Sequence, residues 1–210
     1  NEAPAFTSGF SAAQDEGTTA TGYIAAADDP EGASLTYAIV GTGADDDKFN
    51  IDPGTGALTF KTASDADIPG SAAGTNSYTV DLRVTDGVND VERTISISVN
   101  NINEAPSFSS VSTLTIAENA TSPTLNVTVD DPEGDSITWS IIGGADGGLF
   151  SITPAGQLSL DVADHFEHPS DANTDNEHEV TVRATDTAGN TADQTITVSI
   201  TNVDEPATFT

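Results

Sequence analysis

Cysteine and methionine are both absent from the 210 residues, and lysine and arginine together number only five. Without cysteine, neither disulfides nor thiolate metal sites can hold the fold. Against those five bases stand 34 aspartates and glutamates, a net charge of −29, divided as 4 against 16 in residues 1–102 and 1 against 18 in residues 103–210. Nucleic acid is thereby excluded as a partner, because neutralising phosphates requires a basic surface. No signal peptide, lipidation motif or apolar run of membrane length is present, so direct membrane insertion is not expected. Helical 3.6-residue periodicity with caps is missing. So are a Ser/His/Asp order, a nucleophile elbow, a phosphate-binding glycine loop and a dinucleotide fingerprint, so the chain does not read as an enzyme. Aromatics are few, one Trp, three Tyr and eight Phe, most at core-like alternating positions, which leaves little for an exposed sugar-stacking face.

What the chain does have is repetition. Asn-Glu-Ala-Pro-x-Phe opens it at Asn1–Phe6 and recurs at Asn103–Phe108, and a shortened copy, Asp204-Glu205-Pro206-Ala207-Thr208-Phe209, closes it. Asp29-Pro30-Glu31-Gly32 answers to Asp131-Pro132-Glu133-Gly134, Phe49–Leu58 to Phe150–Leu158, and Val84-Thr85-Asp86 to Ala184-Thr185-Asp186. A period of about 100 residues implies a tandem array. The expected division is a first repeat over 1–102, a second over 103–203, and the start of a linker to a third over 204–210. A chain that begins and ends on the boundary motif reads as a piece of a longer protein.

Each repeat is near the common domain size and long enough for one modest core. Period-two alternation dominates: Tyr78, Val80, Leu82 and Val84 face one way, and Ile95-Ser96-Ile97-Ser98-Val99 and Ile196-Thr197-Val198-Ser199-Ile200 follow the same rule. About seven short strands per hundred residues predict an all-β fold, two tandem seven-stranded Greek-key sandwiches of immunoglobulin-like architecture. Tyr37 and Trp139, at equivalent strand positions, read as core. Pro4, Pro106 and Pro206 stiffen the junctions.

A merely solvated acidic surface does not require its acids at matching places in each repeat, yet many of them cluster in that way. Carboxylates so placed suit a hard divalent ion, and calcium is the expected cofactor. Asp45-Asp46-Asp47 reads as a solvated turn, since the second repeat offers only Asp146 there. Asp171-Ala172-Asn173-Thr174-Asp175-Asn176 fits a turn series or a further loop-bound calcium, the turn being favoured. His165-Phe166-Glu167-His168 reads as a polar loop, too sparse in ligands for zinc.

These motifs, in this order over essentially the whole chain, resemble the cadherin repeats, and more closely the bacterial cadherin-like repeats of large RTX-type surface adhesins. That resemblance implies calcium between consecutive repeats, held by the base of one domain, the linker and the top of the next. The family's early acidic motif falls on Glu16 and Glu118. Its Asp-x-Glu motif falls on Asp65-Ala66-Asp67 and on Asp164-His165-Phe166-Glu167, where the first acid is offset. Its linker appears as Asn101-Ile102-Asn103-Glu104-Ala105-Pro106, one residue short and with Asn for the leading Asp, which lowers the charge of the site. Its Asp-x-Asp motif falls on Asp131-Pro132-Glu133, with Asp130 and Asp135 beside it, and its last ligand on Asp186.

The implied inter-repeat site gathers Glu16, Asp65, Asp67, Asn101, Asn103, Glu104, Asp131, Glu133 and Asp186, suited to about two or three calcium ions at six to eight oxygens each. Half-sites follow at either end: Asn1, Glu2, Asp29, Glu31 and Asp86 at the amino-terminal side, and Glu118, Asp164, Glu167, Asn202, Asp204 and Glu205 at the carboxy-terminal side. The expected function is that of a calcium-rigidified spacer, or adhesive segment, of a bacterial cell-surface or secreted protein. Its partners are then neighbouring repeats of the same chain and cell-surface glycans or proteins. The alternative is a carbohydrate-binding module beside a polysaccharide-interacting domain.

Overall fold

In a computed structural model, which describes residues 1–120 and 124–205, the chain divides into two units, Asn1–Ile102 and Asn103–Thr210. Residues 206–210, including the third copy of the boundary proline, lie outside the described residues. Unit 1 carries strands β1 (Ala5–Phe6), β2 (Ser11–Asp15), β3 (Ala20–Ile24), β4 (Ala27–Asp28), β5 (Thr36–Ile39), β6 (Phe49–Ile51), β7 (Ala57–Phe60), β8 (Ser77–Thr85) and β9 (Asp90–Asn100). Unit 2 repeats the order with β10 (Ser107–Phe108), β11 (Thr113–Ala117), β12 (Thr124–Asn126), β13 (Val129–Asp130), β14 (Thr138–Gly143), β15 (Phe150–Ile152), β16 (Gln157–Leu160), β17 (Glu177–Thr185) and β18 (Thr191–Thr201).

Each unit is a four-stranded sheet over a three-stranded one: β2-β9-β8-β5 with β3-β7-β6, and β11-β18-β17-β14 with β12-β16-β15. The first strand of each large sheet runs parallel to the last, Ser11 opposite Ser96 and Thr113 opposite Thr197. Two-residue pairs, β1 with β4 and β10 with β13, close the edge where each unit begins. These are the two all-β, seven-stranded sandwiches that the alternation predicts.

Alternation also fixes the cores. On β8, Tyr78, Val80, Leu82 and Val84 are buried against Ile95, Ile97 and Val99 of β9, and on β17, Val180, Val182 and Ala184 are buried with Ile196, Val198 and Ile200 of β18. Each such aliphatic side chain contributes about 1.5–3 kcal/mol on burial. Tyr37 is a core residue of unit 1, and Trp139 packs half-buried against the core of unit 2 and against Phe108. Position 178, in register with Tyr78, is a fully buried histidine at the head of the apolar row.

Gly156 shows what the turn before the sheet edge demands. Its φ is +81°, and a Cβ there would lie 2.6 Å from the carbonyl oxygen of Val127, whose own N–H donates to the Gly156 carbonyl at 2.8 Å. Neither the backbone angle nor the backbone contact can relax cheaply. Gly156→Ala is therefore expected to lower the stability of unit 2 by about 2–4 kcal/mol in denaturant titrations, strain and overlap each costing of order 1–3. A change under 0.5 kcal/mol would show that the turn is soft.

Candidate metal centre

At the base of unit 1, Glu16 follows β2 and is pulled inward by two backbone donors. Its Oε2 accepts from Ala66 N at 2.5 Å and its Oε1 from Ile102 N at 2.7 Å. Asp65 accepts from the N–H groups of Asp67 and Ile68, an Asx turn that holds its carboxylate outward. Asp67 accepts from the side-chain amide of Asn101 at 3.0 Å. Glu16, Asp65 and Asp67 thus converge, with one carboxylate oxygen of each within 4.8 Å of the others.

The base of unit 2 is built on the same hydrogen bonds. Glu118 accepts from Phe166 N at 3.0 Å and Val203 N at 2.7 Å, and Asn202 donates to Glu167 at 2.6 Å. Position for position, His165 stands where Asp65 stands, and Glu118, His165 and Glu205 form the converging group. Glu205 also accepts from Asn119, and Asp204 is exposed. Donation from the N–H groups of Val203 and Phe166 holds the Glu118 carboxyl below its ordinary pKa.

At the opposite end of each unit a second acidic group is built on the Pro-Glu-Gly turn. Asp29 Oδ1 accepts from Glu31 N and Ala33 N, and Asp131 Oδ1 from Asp135 N. The other oxygen, Oδ2, of both Asp29 and Asp131 is buried and accepts no hydrogen bond. The boundary motif is fastened beside this turn. Asn103 Nδ2 donates to Asp186 Oδ2 at 2.6 Å while Asn190 Nδ2 donates to the Asn103 carbonyl. In unit 1 the Asn1 amide, with its NH₂ toward Asp86, donates to Oδ2 at 2.8 Å, and Glu2 N donates to Glu31.

Asp86 and Asp186 share one electrostatic design. Donation from the N–H groups of Asn89 and Val88 lowers the pKa of Asp86. Burial works to raise that of Asp186, but donors from Asn190, Asn103 and Gly189 outweigh it and the net direction is down. A carboxyl whose folded pKa is depressed contributes stability above its unfolded pKa and loses it as pH falls through the folded value. Acid unfolding in chelator is therefore expected to begin below about pH 4, the unfolded carboxylate value, with a flat stability profile above it. A decline setting in already above pH 5.5 would assign acid sensitivity to the histidines instead.

The orphan oxygens of Asp29 and Asp131 are the observation that bears on an ion. Each sits where its partner oxygen is already fixed by backbone donors, so the free one is a preset, anionic, hard ligand. Carboxylate oxygen is the kind of donor that a hard divalent cation takes.

No curated protein matches the chain. Residues 103–199 match a protein family described as a Bacterial Ig domain. Among solved structures the chain is similar to human protocadherin-24 EC1-2, crystal Form II, at 22% identity and a TM-score of 0.60 over 97% of this chain and 100% of that one. It is similar to Drosophila N-cadherin EC1-4 at 17% identity and 0.54, covering 96% of this chain and 50% of that one. A third likeness is human CDH23 EC21-23, at 19% and 0.52 over 95% and 70%. The chain has the fold of tandem cadherin ectodomain repeats.

Within these repeats some expected residues stand elsewhere than the motif suggests. Asp164 does not join Glu118 and Glu167. It is turned inward, accepts from Ser170 N at 2.9 Å and lies 3.1 Å from His178 Nε2, in the slot that Ser64 fills in the first repeat. The one-residue offset in Asp164-His165-Phe166-Glu167 is the reason: aligning on the N–H that Glu118 accepts makes His165 the counterpart of Asp65. Asp45 and Asp46 are not a solvated turn either. Both are buried, Asp45 accepting from Ala72 N and Thr79 N, Asp46 from Gly41 N, Gly43 N and Asp81 N. Only Asp47 is exposed, beside Lys48. The Asp171–Asn176 run is a turn series: Asp171 accepts from Asp175 N and Asn176 N, and Asp175 from Glu177 N.

Proposed function

We propose that the chain is a calcium-binding, calcium-rigidified segment of a bacterial cell-surface or secreted adhesin, a spacer whose product is stiffness. The observation that carries this reading is the convergence of Glu16, Asp65 and Asp67, with one carboxylate oxygen of each within 4.8 Å of the others, in a chain with five Lys and Arg against 34 Asp and Glu. Lys48 is paired with Asp47, Arg83 with Asp90 and Arg183 with Asp193, Lys61 donates to the Asp47 carbonyl, and Arg93 lies over Phe6 and Phe10. A divalent cation from solution would neutralise the converging acids.

Calcium bound between the repeats supplies a hard divalent charge that several carboxylates share. The residues of this chain divide the work. Glu16, Asp65, Asp67 and Asn101 present oxygens from the base of the first repeat. Asn103, Glu104, Asp131, Glu133 and Asp186 present them from the top of the second. Asp186 and Asn190 fasten Asn103 to its own domain, and Glu16 fastens Ile102, so the linker is tied down on both sides. Without the cation these acids repel one another, as unit charges 4 Å apart do by about 1–4 kcal/mol near a surface. The same residues at both ends of the chain suit further ions shared with neighbouring repeats.

A calorimetric calcium titration combined with small-angle scattering tests the proposal. The expected result is an extended two-domain rod in calcium that becomes shorter or more variable with chelator, and a Glu104→Ala variant that binds less calcium while both sandwiches stay folded. Scattering that does not respond to chelator sinks the mechanism.

A further inference from the structure

The second repeat contains a buried polar cluster that the calcium reading does not use. Asp164, Asp171 and His178 are 4%, 5% and 0% exposed, and one ligand atom of each lies within 4.8 Å of the others. Asp164 and Asp171 sit on the connection between β16 and β17, and His178 is on β17 itself. In the first repeat the same three places are held by Ser64, Ser71 and Tyr78, whose hydroxyls accept from Gln14, Thr75 and Gly70. The fold therefore needs no charge here. The second repeat has put two carboxylates and an imidazole in the place of three hydroxyls.

One atom of each of two of these groups lacks a hydrogen bond. His178 Nδ1 is buried without a hydrogen bond, and Asp164 Oδ2, though 3.1 Å from His178 Nε2, accepts none. Nε2 has beyond this only Ser170 Oγ, at 3.4 Å. Burying two carboxylates beside one imidazole leaves a net charge of −2, or −1 if the ring is protonated, and neither is compensated by another side chain in the cluster. A divalent ion with a neutral imidazole brings the charge to zero.

We propose that Asp164, Asp171 and His178 form a buried transition-metal site in the second repeat, suited to zinc and separate from the calcium sites. Imidazole nitrogen with two carboxylates is a borderline donor set that zinc accepts in four-coordinate geometry. Calcium is excluded by the nitrogen and by the shortage of oxygens. Zinc–ligand distances of about 2.0–2.2 Å require the three atoms to draw together by roughly 1 Å. The ion would tie that loop to β17, a cross-link the first repeat does without.

The test is a zinc titration of the full chain in saturating calcium, which keeps the surface carboxylates occupied. One tight equivalent is expected for the wild type and for a His165→Ala/His168→Ala variant. It should be lost in Asp164→Ser/Asp171→Ser/His178→Tyr, which copies the first repeat. Retention in that triple variant, or no tight equivalent in the wild type, overturns the proposal. Should the triple variant fail to fold, nitrogen-15 spectra of the wild-type imidazoles decide, since there are only three histidines. One equivalent of zinc must shift the His178 ring, and a shift confined to His165 and His168 refutes the site.

Discussion

Replacing Asp146 with alanine is expected to lower the unfolding free energy of the second repeat by about 2–4 kcal/mol, the cost of leaving two part-buried backbone donors without an acceptor at about 1–2 each. Asp146 is buried before a 3₁₀ turn, and its two oxygens divide between Ala172 N at 2.7 Å and Glu179 N at 2.9 Å. It thus staples the loop before β17 and the start of β17 to the turn after β14. Asp45 does the same in the first repeat, to Ala72 N and Thr79 N, so Asp45→Ala should cost as much there. Asp47→Ala, two residues on and exposed, loses only a surface pair with Lys48 and should move stability by less than about 0.5 kcal/mol. The check is urea unfolding of each variant, followed through a probe in the affected repeat, with and without calcium. Equal small effects for Asp45→Ala and Asp47→Ala would mean that the triplet is the solvated turn its composition suggests.

The contrast between those aspartates marks how far the sequence could be read. The strands were legible because side chains alternate about the sheet plane with a period of two, and every row of Val, Ile and Leu on β8, β9, β17 and β18 lands inside. The acids were legible only in part, because a carboxylate's role depends on whether a backbone donor or solvent meets it, and spacing does not record that. Asp45 and Asp146 are the one acid shared by the two repeats at that turn, and that sharing was the available signal. The local run of three acids masked it. His178 carried a similar signal, since it stands two residues before Val180 just as Tyr78 precedes Val80, and a histidine in a row of core residues must find polar company. The displacement of Asp164 by one position was invisible because an acid at the place of Ser64, followed by His165 at the place of Asp65, keeps the motif's acidic composition while changing which side chain faces in. Glu16 and Glu118 stand at matching places in the two repeats because each is held by hydrogen bonds to the backbone, which the repeat preserves.

Glu16→Gln is expected to reduce calcium affinity at the junction by about two orders of magnitude, since affinity in oxygen sites follows the number of charged ligands. The carboxylate does two jobs at once. Each oxygen already accepts one backbone N–H, from Ala66 and from Ile102, and the remaining lone pairs face Asp65 and Asp67. An amide of the same shape keeps one acceptor, turns its NH₂ against the other donor and removes the charge, so in chelator the first repeat should also lose about 1–3 kcal/mol. Glu118→Gln makes the same chemical change in the second repeat, with the equivalent pair of backbone donors, but at the end of that repeat opposite Asn103. Comparing the two separates folding from ion binding. If calcium is held between the repeats, scattering from Glu16→Gln in calcium should match that of the chelated wild type, whereas Glu118→Gln should remain an extended rod. If both variants lose the same number of ions and neither changes its dimensions, the carboxylates bind calcium within single domains, and the stiffness of the joint must come from Pro106 and the fastened Asn103 alone.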